Sequence, residues 1–272
     1  MAKFKIIIGI FLFSLIFVSV WGFLIEPNLI STEKISIKAE SMSDSLKDLK
    51  FLQISDLHLK EFSFREEKVL KIIKSIKPDL VFITGDIVDW STKDFTGLEK
   101  FSKDLSADYK DKIFAVFGNH DHRNNKFKTL KDVLKENGIQ VLINESRKLE
   151  TNDSYFYLIG VDDPHLGYDD IDKATAGIGE DSFKILLAHS PEIFRKITDK
   201  KINLVLVGHA HGCQVGIPFL CDLFLPLNYD KKYKRGLFKE NSTYLYVNRG
   251  IGETILPFRL NAFPEITIIN FE

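Results

Sequence analysis

The chain has 272 residues, of which 44% are hydrophobic and 28% are charged, as is ordinary for a globular protein with one large domain or two small ones. Its 37 Lys and Arg nearly balance its 38 Asp and Glu, so no overall field attracts nucleic acid, and we expect no nucleic-acid partner. Two cysteines, Cys213 and Cys221, are too few for a disulfide-stapled scaffold, and whether they pair stays open.

The first predicted element is a membrane-spanning helix. An uncharged apolar run, IIIGIFLFSLIFVSVWGFLI, fills residues 6–25, and 20 helical residues extend about 30 Å, the thickness of a bilayer's hydrocarbon core. A cleaved signal peptide is the alternative, but the run is long for one and lacks a small-residue cleavage site. We therefore predict a single-pass anchor in the cell membrane over residues 1–26. Lys3 and Lys5 slightly favour a cytoplasmic N-terminus, with the folded domain on the outer face.

A polar linker is predicted for residues 27–48, with one short strand over residues 34–39. From residue 49, short apolar runs rich in β-branched and aromatic residues alternate with amphipathic helical stretches, which is typical of strands buried on both faces. These runs are LKFLQIS, DLVFITG, KIFAVFG, YFYLIG, FKILLA and INLVLVG. Helices are predicted after a capping box at Ser63 and Glu66, over residues 95–105 and over residues 127–136. Two later strands, residues 244–248 and 265–271, have no helix between them, so residues 49–272 read as one α/β domain with two sheets.

Polar residues of three types follow these strands directly. Five strands each deliver Asp, Asn or His to the carboxyl edge of a sheet, where open α/β folds bind ligands. The residues are Asp56 and His58, Asp86, Asn119 with His120 and Asp121, His189, and His209 with His211. One histidine after a strand is usually a packing or capping residue, but five of the chain's seven histidines lie in this set. The pattern predicts a functional site.

Carboxylates and imidazoles without thiolates suit divalent ions such as Mn²⁺, Fe²⁺ or Zn²⁺. The set is larger than one tetrahedral zinc requires, and it matches two ions about 3.5–4 Å apart that share a carboxylate. Such a pair activates a bridging water, so no Ser or Cys nucleophile is needed. The chain also lacks a G-x-S-x-G elbow and a P-loop.

These blocks resemble the motifs of the calcineurin-like metallophosphoesterase superfamily. In chain order they are Asp56-x-His58, Gly85-Asp86, Gly118-Asn119-His120-Asp121, the lone His189, and Gly208-His209-Ala210-His211. The resemblance covers residues 50–272. It implies a four-layer αββα sandwich of two mixed β-sheets, with a dinuclear metal site on the strand ends.

The resemblance also implies a role for each matching residue. Three residues would bind the first ion: Asp56, His58 and His211. Three would bind the second: Asn119, His189 and His209. Asp86 would bridge the two divalent ions, which we expect to be Mn, Fe or Zn, with Mn preferred. His120 would stabilise or protonate the leaving oxygen, and Asp121 would orient the His120 ring.

Two positions depart from related patterns. Purple acid phosphatases of the same superfamily have Tyr three residues after the bridging Asp, where this chain has Asp89, so no ferric-tyrosinate centre is expected. The closest subgroup often has His-Gly-Gly-Gln after the last histidine pair, and here Cys213 replaces the second Gly.

Residues 160–164, 188–191 and 246–252 resemble bacterial membrane-associated or exported phosphoesterases, including the UDP-2,3-diacylglucosamine pyrophosphatases of lipid A synthesis. Arg249 could therefore clamp a second phosphate, or could simply cap the last hairpin. The apolar segment of residues 217–227 could be a lip for acyl chains at the membrane, or an ordinary packed loop.

The leading prediction is thus a dinuclear-metal phosphoesterase that hydrolyses a phosphodiester or pyrophosphate bond by attack of a metal-bridging hydroxide. Its expected substrate is a membrane lipid or lipid-linked phosphate such as UDP-2,3-diacylglucosamine. The first alternative is a broad-specificity phosphodiesterase or phosphatase acting on soluble or cell-wall substrates. The second is a catalytically silent, metal-binding scaffold, against which the presence of His120 argues, because a scaffold needs no acid. The oligomeric state stays open.

Overall fold

The computed structural model describes residues 1–38, 44–151, 154–217, 221 and 232–272. It begins with helix α1, Ala2–Val20, which continues through a π-helical turn, Trp21–Ile25, and a 3-10 turn, Glu26–Asn28. Within the described residues, the segment Ala2–Asn28 is the one helix that is long and apolar enough to cross a membrane, by length and composition. The predicted apolar helix is therefore present.

Two mixed sheets, each with six strands in the described part of the chain, form the centre of the domain. The first contains β1 (Ser31–Ile37), β2 (Phe51–Ile54), β3 (Leu80–Thr84), β4 (Ile113–Val116), β5 (Gln140–Val141) and β12 (Glu265–Phe271). The second contains β6 (Glu145–Glu150), β7 (Tyr155–Gly160), β8 (Lys184–Leu187), β9 (Leu204–Val207), β10 (Gly236–Glu240) and β11 (Thr243–Val247).

The strand orders are β1-β12-β2-β3-β4-β5 and β10-β11-β9-β8-β7-β6. Strands β2 to β5 pair in parallel, as do β7, β8, β9 and β11. Strand β12 is antiparallel to β2, β6 to β7, and β10 to β11. Parallel pairing brings the carboxyl ends of β2, β3 and β4 to one edge, and those of β8 and β9 to one edge of the second sheet.

Six shorter helices complete the described part of the domain. They are α2 (Asp44–Lys47), α3 (Phe64–Ile76), α4 (Thr96–Tyr109), α5 (Asn119–Arg123), α6 (Phe127–Glu136) and α7 (Ile171–Thr175). The predicted capping box of α3 is confirmed, because the Ser63 amide donates to Glu66 Oε2 at 2.8 Å and the Ser63 hydroxyl accepts from the first turn. The predicted helices α4 and α6 are also confirmed.

Three hydrophobic clusters separate the layers of the domain. One lies between the first sheet and helices α3, α4 and α6, and includes Leu52. A second lies between the two sheets and includes Phe51, since neighbouring residues of a strand point to opposite faces. The third covers the outer face of the second sheet, beneath α7. The predicted α/β fold with two mixed sheets in four layers is confirmed.

The structure bears differently on three further points of the sequence analysis. Residues 31–37, predicted mainly as linker, form edge strand β1, which pairs in parallel with β12. Its alternating half-exposed pattern hid it from a search for fully buried strands. Cys213 and Cys221 form a disulfide with their Cα atoms 5.1 Å apart. The predicted apolar lip of residues 217–227 lies almost wholly outside the described residues.

Candidate metal centre

All seven predicted metal ligands lie at the carboxyl edges of the two sheets. Each follows its strand directly or within four residues, and all but His209 are buried. They are Asp56 and His58 after β2, Asp86 after β3, Asn119 after β4, His189 after β8, and His209 and His211 after β9. The structure therefore brings together the residues that the strand pattern selected.

The first cluster consists of Asp56, His58 and His211, whose ligand atoms lie within 4.8 Å of one another. Nε2 of His58 is 3.1 Å from Nε2 of His211, and the latter is 3.2 Å from Asp56 Oδ1. Two imidazole nitrogens that face each other can share at most one proton. Their convergence with a carboxylate is the arrangement that a divalent cation requires.

The second cluster consists of Asp86, His189 and His209, again within 4.8 Å. Nε2 of His189 lies 3.1 Å from His209 Nδ1 and 3.3 Å from Asp86 Oδ2. Nδ1 of His189 lies 2.9 Å from the carbonyl oxygen of Thr84, to which it can only donate. With the proton on Nδ1, Nε2 is the atom that faces the metal site, which is how a backbone carbonyl usually orients a histidine ligand.

Asp86 lies between the two clusters. Its Oδ2 atom is 3.5 Å from His58 Nε2 in the first cluster and 3.3 Å from His189 Nε2 in the second. Its Oδ1 atom accepts a hydrogen bond of 2.8 Å from the His120 amide. One oxygen of Asp86 thus faces both clusters, as in a carboxylate that bridges two ions through a single oxygen.

Asn119 supplies a further observation on whether the site fits metal. Its Oδ1 atom is buried, and no hydrogen-bond donor in the described part of the chain reaches it. A buried amide oxygen without a partner is costly unless a cation binds it. Oxygen and imidazole ligands without thiolate fit the Mn²⁺, Fe²⁺ and Zn²⁺ group.

Most of the predicted ligands have a left-handed backbone conformation, which residues other than glycine rarely adopt. Five of the seven predicted ligands have φ between 44° and 69°: Asp56, His58, Asp86, His209 and His211. Each left-handed residue costs roughly 1–2 kcal/mol, and such conformations cluster at functional sites. Gly208 allows the close approach of β9 to β2, because a Cβ there would lie 2.2 Å from Asp56 Oδ2.

Burial and neighbouring charges set the protonation of the predicted ligands. Burial lowers the pKa of His58 to about 3 despite the nearby Asp86, so this imidazole is neutral at physiological pH. Burial alone would raise the pKa of Asp86, but His189 and its hydrogen bond reverse that effect and hold the pKa well below its usual range. The neutral His58 imidazole and the ionised Asp86 carboxylate are in the state that binds a cation, whereas Asp86 raises the pKa of His189 despite its burial, so a cation would displace a proton from that ring.

The carboxylate beside His120 is Asp89, whereas Asp121 was expected there. Asp121 Oδ1 accepts from the Val88 amide at 3.0 Å and Oδ2 from the Gly118 amide at 2.9 Å. Burial, followed by the charge of Asp86, raises the pKa of Asp121 to about 7. Asp121 therefore joins the loops that follow β3 and β4 and caps α5. It does not orient His120.

Asp89 Oδ2 lies 3.6 Å from His120 Nδ1 and 3.8 Å from His58 Nδ1. Sequence reasoning noted Asp89 only as a departure from the tyrosinate pattern and missed it as a site residue. Its position three residues after Asp86, in the same loop, was the available signal.

Arg249 does not point into the site as a phosphate clamp would. Its guanidinium donates to Glu265, to Glu33 Oε1 at 2.5 Å and to Ser31 Oγ at 3.0 Å. Two carboxylates already neutralise this cation, and its partners belong to β1 and β12. In this structure Arg249 ties the end of β11 to the edge of the first sheet, which favours the structural alternative, and the phosphate clamp stays a prediction.

Comparisons with known proteins agree with this geometry. The sequence model of the calcineurin-like phosphoesterase family matches residues 49–213. The metallophosphoesterase YkuE of Bacillus subtilis is 33% identical, over 91% of this chain and 87% of that protein. Phosphodiesterase YaeI of Escherichia coli is 31% identical over 83% of each. A zebrafish transmembrane protein with a metallophosphoesterase domain is 28% identical over 89% of this chain and 57% of its own length. The chain therefore belongs to the calcineurin-like phosphoesterase family and is a metal-dependent phosphoric ester hydrolase.

Proposed function

We propose that this family member hydrolyses a phosphodiester or pyrophosphate bond of a lipid-linked substrate at two divalent metal ions. The observation that supports two ions most directly is the position of Asp86 Oδ2, 3.5 Å from a histidine of one cluster and 3.3 Å from a histidine of the other. A single ion could not be bound by both Asp56 with His211 and His189 with His209, which lie in separate clusters.

The seven predicted ligands would hold the ions in two sets of three joined by Asp86. When bound, two divalent ions supply an activated water and neutralise the oxygens of the phosphate group. His120 would donate a proton to the leaving oxygen. Its ring lies against that of His58, with centroids 4.5 Å apart, and its side chain is only 12% exposed.

Asp89 would hold the protonated form of His120. Burial lowers the pKa of His120, which favours the neutral ring, and the charges of Asp86 and Asp89 oppose this effect. The imidazole can then deliver a proton and return to neutrality as the leaving group departs. Asp89 is a positioning residue in this scheme, since it would act on the substrate only through His120.

A diester is favoured over a monoester by the name of the relative YaeI, a phosphodiesterase that aligns over most of both chains. A lipid-linked substrate is favoured by the apolar helix at the N-terminus, which we propose anchors the enzyme in the cell membrane with its domain on the outer face. UDP-2,3-diacylglucosamine is one substrate of this class, and Mn²⁺ is the ion that we expect.

The test uses the full-length protein in detergent with Mn²⁺. We expect bis(p-nitrophenyl) phosphate to be hydrolysed faster than p-nitrophenyl phosphate, and UDP-diacylglucosamine faster than UDP-glucose, which has the same pyrophosphate but no acyl chains. Asp86→Asn is the matched inactive control, because it keeps the shape of the side chain and removes its charge.

Equal turnover of the two UDP-sugars would support the alternative of a broad-specificity phosphodiesterase acting on soluble or cell-wall substrates. Absence of turnover of every ester by a fully metal-loaded protein would support the silent scaffold.

A further inference from the structure

The end of the N-terminal helix is joined to one loop of the domain. The carbonyl oxygen of Gly22 accepts a hydrogen bond of 2.9 Å from the Arg259 amide. The ring of Phe258 packs edge-on against Phe23, with centroids 4.9 Å apart. A Cβ at Gly22 would lie 2.1 Å from the Phe258 ring, so the absence of a side chain allows this contact.

The buried carboxylate of Glu26 adds hydrogen bonds to this contact between the helix and the loop. Glu26 is 1% exposed; its Oε1 accepts from the Ala262 amide at 2.6 Å and its Oε2 accepts from the indole N–H of Trp21 at 2.7 Å. Both oxygens of the carboxylate are therefore hydrogen-bonded inside the contact. The helix meets the domain through fixed contacts, and the loop position is set relative to Trp21.

The same loop exposes two apolar side chains, Ile255 and Leu256, which we call the apolar tip. Ile255 is 98% exposed and Leu256 is 57% exposed. Ile255 also has a φ of 60°, which is a rare conformation for a β-branched residue. In water, neither the exposure of Ile255 nor its backbone conformation would stabilise the folded protein.

Gln214 holds the apolar tip in place. Its side-chain amide donates to the carbonyl oxygens of Leu256 and Phe258, both at 3.0 Å, and its Oε1 accepts from the Thr254 amide at 2.7 Å. Gln214 lies three residues after the predicted ligand His211, in the same short segment. The exposed conformation of the tip is therefore built by the segment that also carries a metal ligand.

We propose that the apolar tip inserts into the membrane leaflet that the N-terminal helix leaves at Trp21. Tryptophan is enriched where a spanning helix reaches the lipid headgroups. Phe258 packs against Gly22, the residue that follows Trp21. On the helix, Phe23, which contacts Phe258, and the neighbouring Leu24 are also 44% and 66% exposed. A lipid leaflet is the one occupant that explains both the exposed helix and the exposed tip.

This placement has a consequence for the metal centre, which rests on the proposed function. A cavity of about 430 Å³ extends between the tip and the site, and Lys60, Arg65, Glu253 and Pro257 line it with His58. The cleft would open at the headgroup level of the leaflet. A phosphate group attached to a membrane-embedded chain would reach the metal ions without leaving the bilayer.

The test measures depth in the membrane directly, with full-length protein in phosphatidylethanolamine–phosphatidylglycerol vesicles. A nitroxide spin label is attached to Ile255→Cys, since the native cysteines are paired in a disulfide. Collision rates are measured with oxygen, which concentrates in the bilayer, and with a water-soluble nickel chelate. Phe13→Cys on the helix, where Phe13 is 71% exposed, is the membrane reference. Tyr155→Cys, at the amino end of β7 and far from the site edge, is the aqueous reference.

We expect the label at position 255 to collide preferentially with oxygen, as the Phe13→Cys label does, and at least several-fold less with nickel than the Tyr155→Cys label. Accessibility equal to that of the Tyr155→Cys label would overturn the inference. Low accessibility to both reagents would also overturn it, because a protein surface would then cover the tip. Hydrolysis of bis(p-nitrophenyl) phosphate by the same labelled samples tests the proposed function separately, so the failure of one claim can be told from that of the other.

Discussion

The substitution Asp89→Asn tests whether Asp89 is the carboxylate that assists His120. The side chains of Asp89 and His120 are 5% and 12% exposed, and Asp89 Oδ2 is 3.6 Å from His120 Nδ1. Two unit charges at this distance interact by about 1 kcal/mol in bulk water and by about 5 kcal/mol at an effective dielectric constant of 20. Since about 1.4 kcal/mol corresponds to a tenfold change in rate, Asp89→Asn should slow hydrolysis that needs the acid by roughly 10- to 10³-fold.

The assay compares an alkyl phosphodiester with bis(p-nitrophenyl) phosphate. The alkyl leaving group needs a proton, whereas p-nitrophenolate departs without one, so the loss should be large for the first ester and small for the second. Without Asp89 the pKa of His120 should fall further, because an opposing charge is removed. The protonated acid is then lost at a lower pH, so the alkaline limb of the pH–rate profile of the alkyl ester should move to lower pH.

Asp121→Asn is the matched control. Both oxygens of Asp121 accept from backbone amides, so one side-chain N–H₂ group would face an amide N–H and the melting temperature should fall. Metal content, measured for both variants, separates loss of the acid from loss of ligand geometry at His58. The reasoning is refuted if folded Asp121→Asn shows the dependence on leaving group and Asp89→Asn, with its metal retained, does not.

Three further predictions concern the support of the site. Asp86→Ala should lose far more bound metal than His58→Ala in elemental analysis, because Asp86 faces both clusters; equal losses would remove the bridging assignment. Gly208→Ala should lower the melting temperature, because its Cβ would lie 1.9 Å from the nearest side-chain oxygen. Overpacking costs typically about 1–3 kcal/mol, and each kcal/mol lowers the melting temperature by roughly 2–4 °C. Gly179→Ala, whose Cβ would lie 3.5 Å from the nearest atom, is the control and should not lower it. Arg249→Gln should lower the free energy of unfolding by about 1.5–3 kcal/mol, since it removes the charged hydrogen bond to the buried Glu265, while the KM for a pyrophosphate substrate stays unchanged. A rise in KM with unchanged stability would restore Arg249 as a phosphate ligand.

The residues that sequence reasoning found are those whose position follows from strand geometry alone. A buried run such as LVLV in β9 is recognisable by composition, and the polar residue after it must emerge at the carboxyl edge. The places of His209 and Asp56 at carboxyl edges could therefore be predicted without knowledge of any loop, and the family resemblance implied that the edges of the two sheets meet. The structure supports this step directly, because the His209 amide donates to Asp56 at 3.1 Å.

Asp89 could not be found in this way, because its place depends on how two loops pair. After β2 and β3 end, the His58 amide still donates to the Asp86 carbonyl, and Leu59 still forms a bridge with Val88. This extension of the sheet sets Asp89 beside His58 and His120. No short sequence pattern predicts that the pairing of β2 and β3 continues into these loops.

The ion pairs of Arg249 could not be predicted for a related reason. Its partners Glu33 and Glu265 are 216 and 16 residues away, on strands whose pairing brings them to the same edge. Strand β1 itself was only partly predicted, since its exposed and buried residues alternate as in a polar linker. The apolar tip was also missed, because exposure of a single Ile is a property of the folded loop.

The most direct test of two-metal hydrolysis is a titration of the metal-free, full-length enzyme with Mn²⁺, in which bound metal and diesterase activity are measured on the same samples. We predict that activity appears only as the second ion binds and that it reaches its maximum at two ions per chain. The metal-free protein should be inactive and Asp86→Asn should fail to reach two ions. Full activity at one ion per chain, or activity that survives complete removal of metal, would contradict the account.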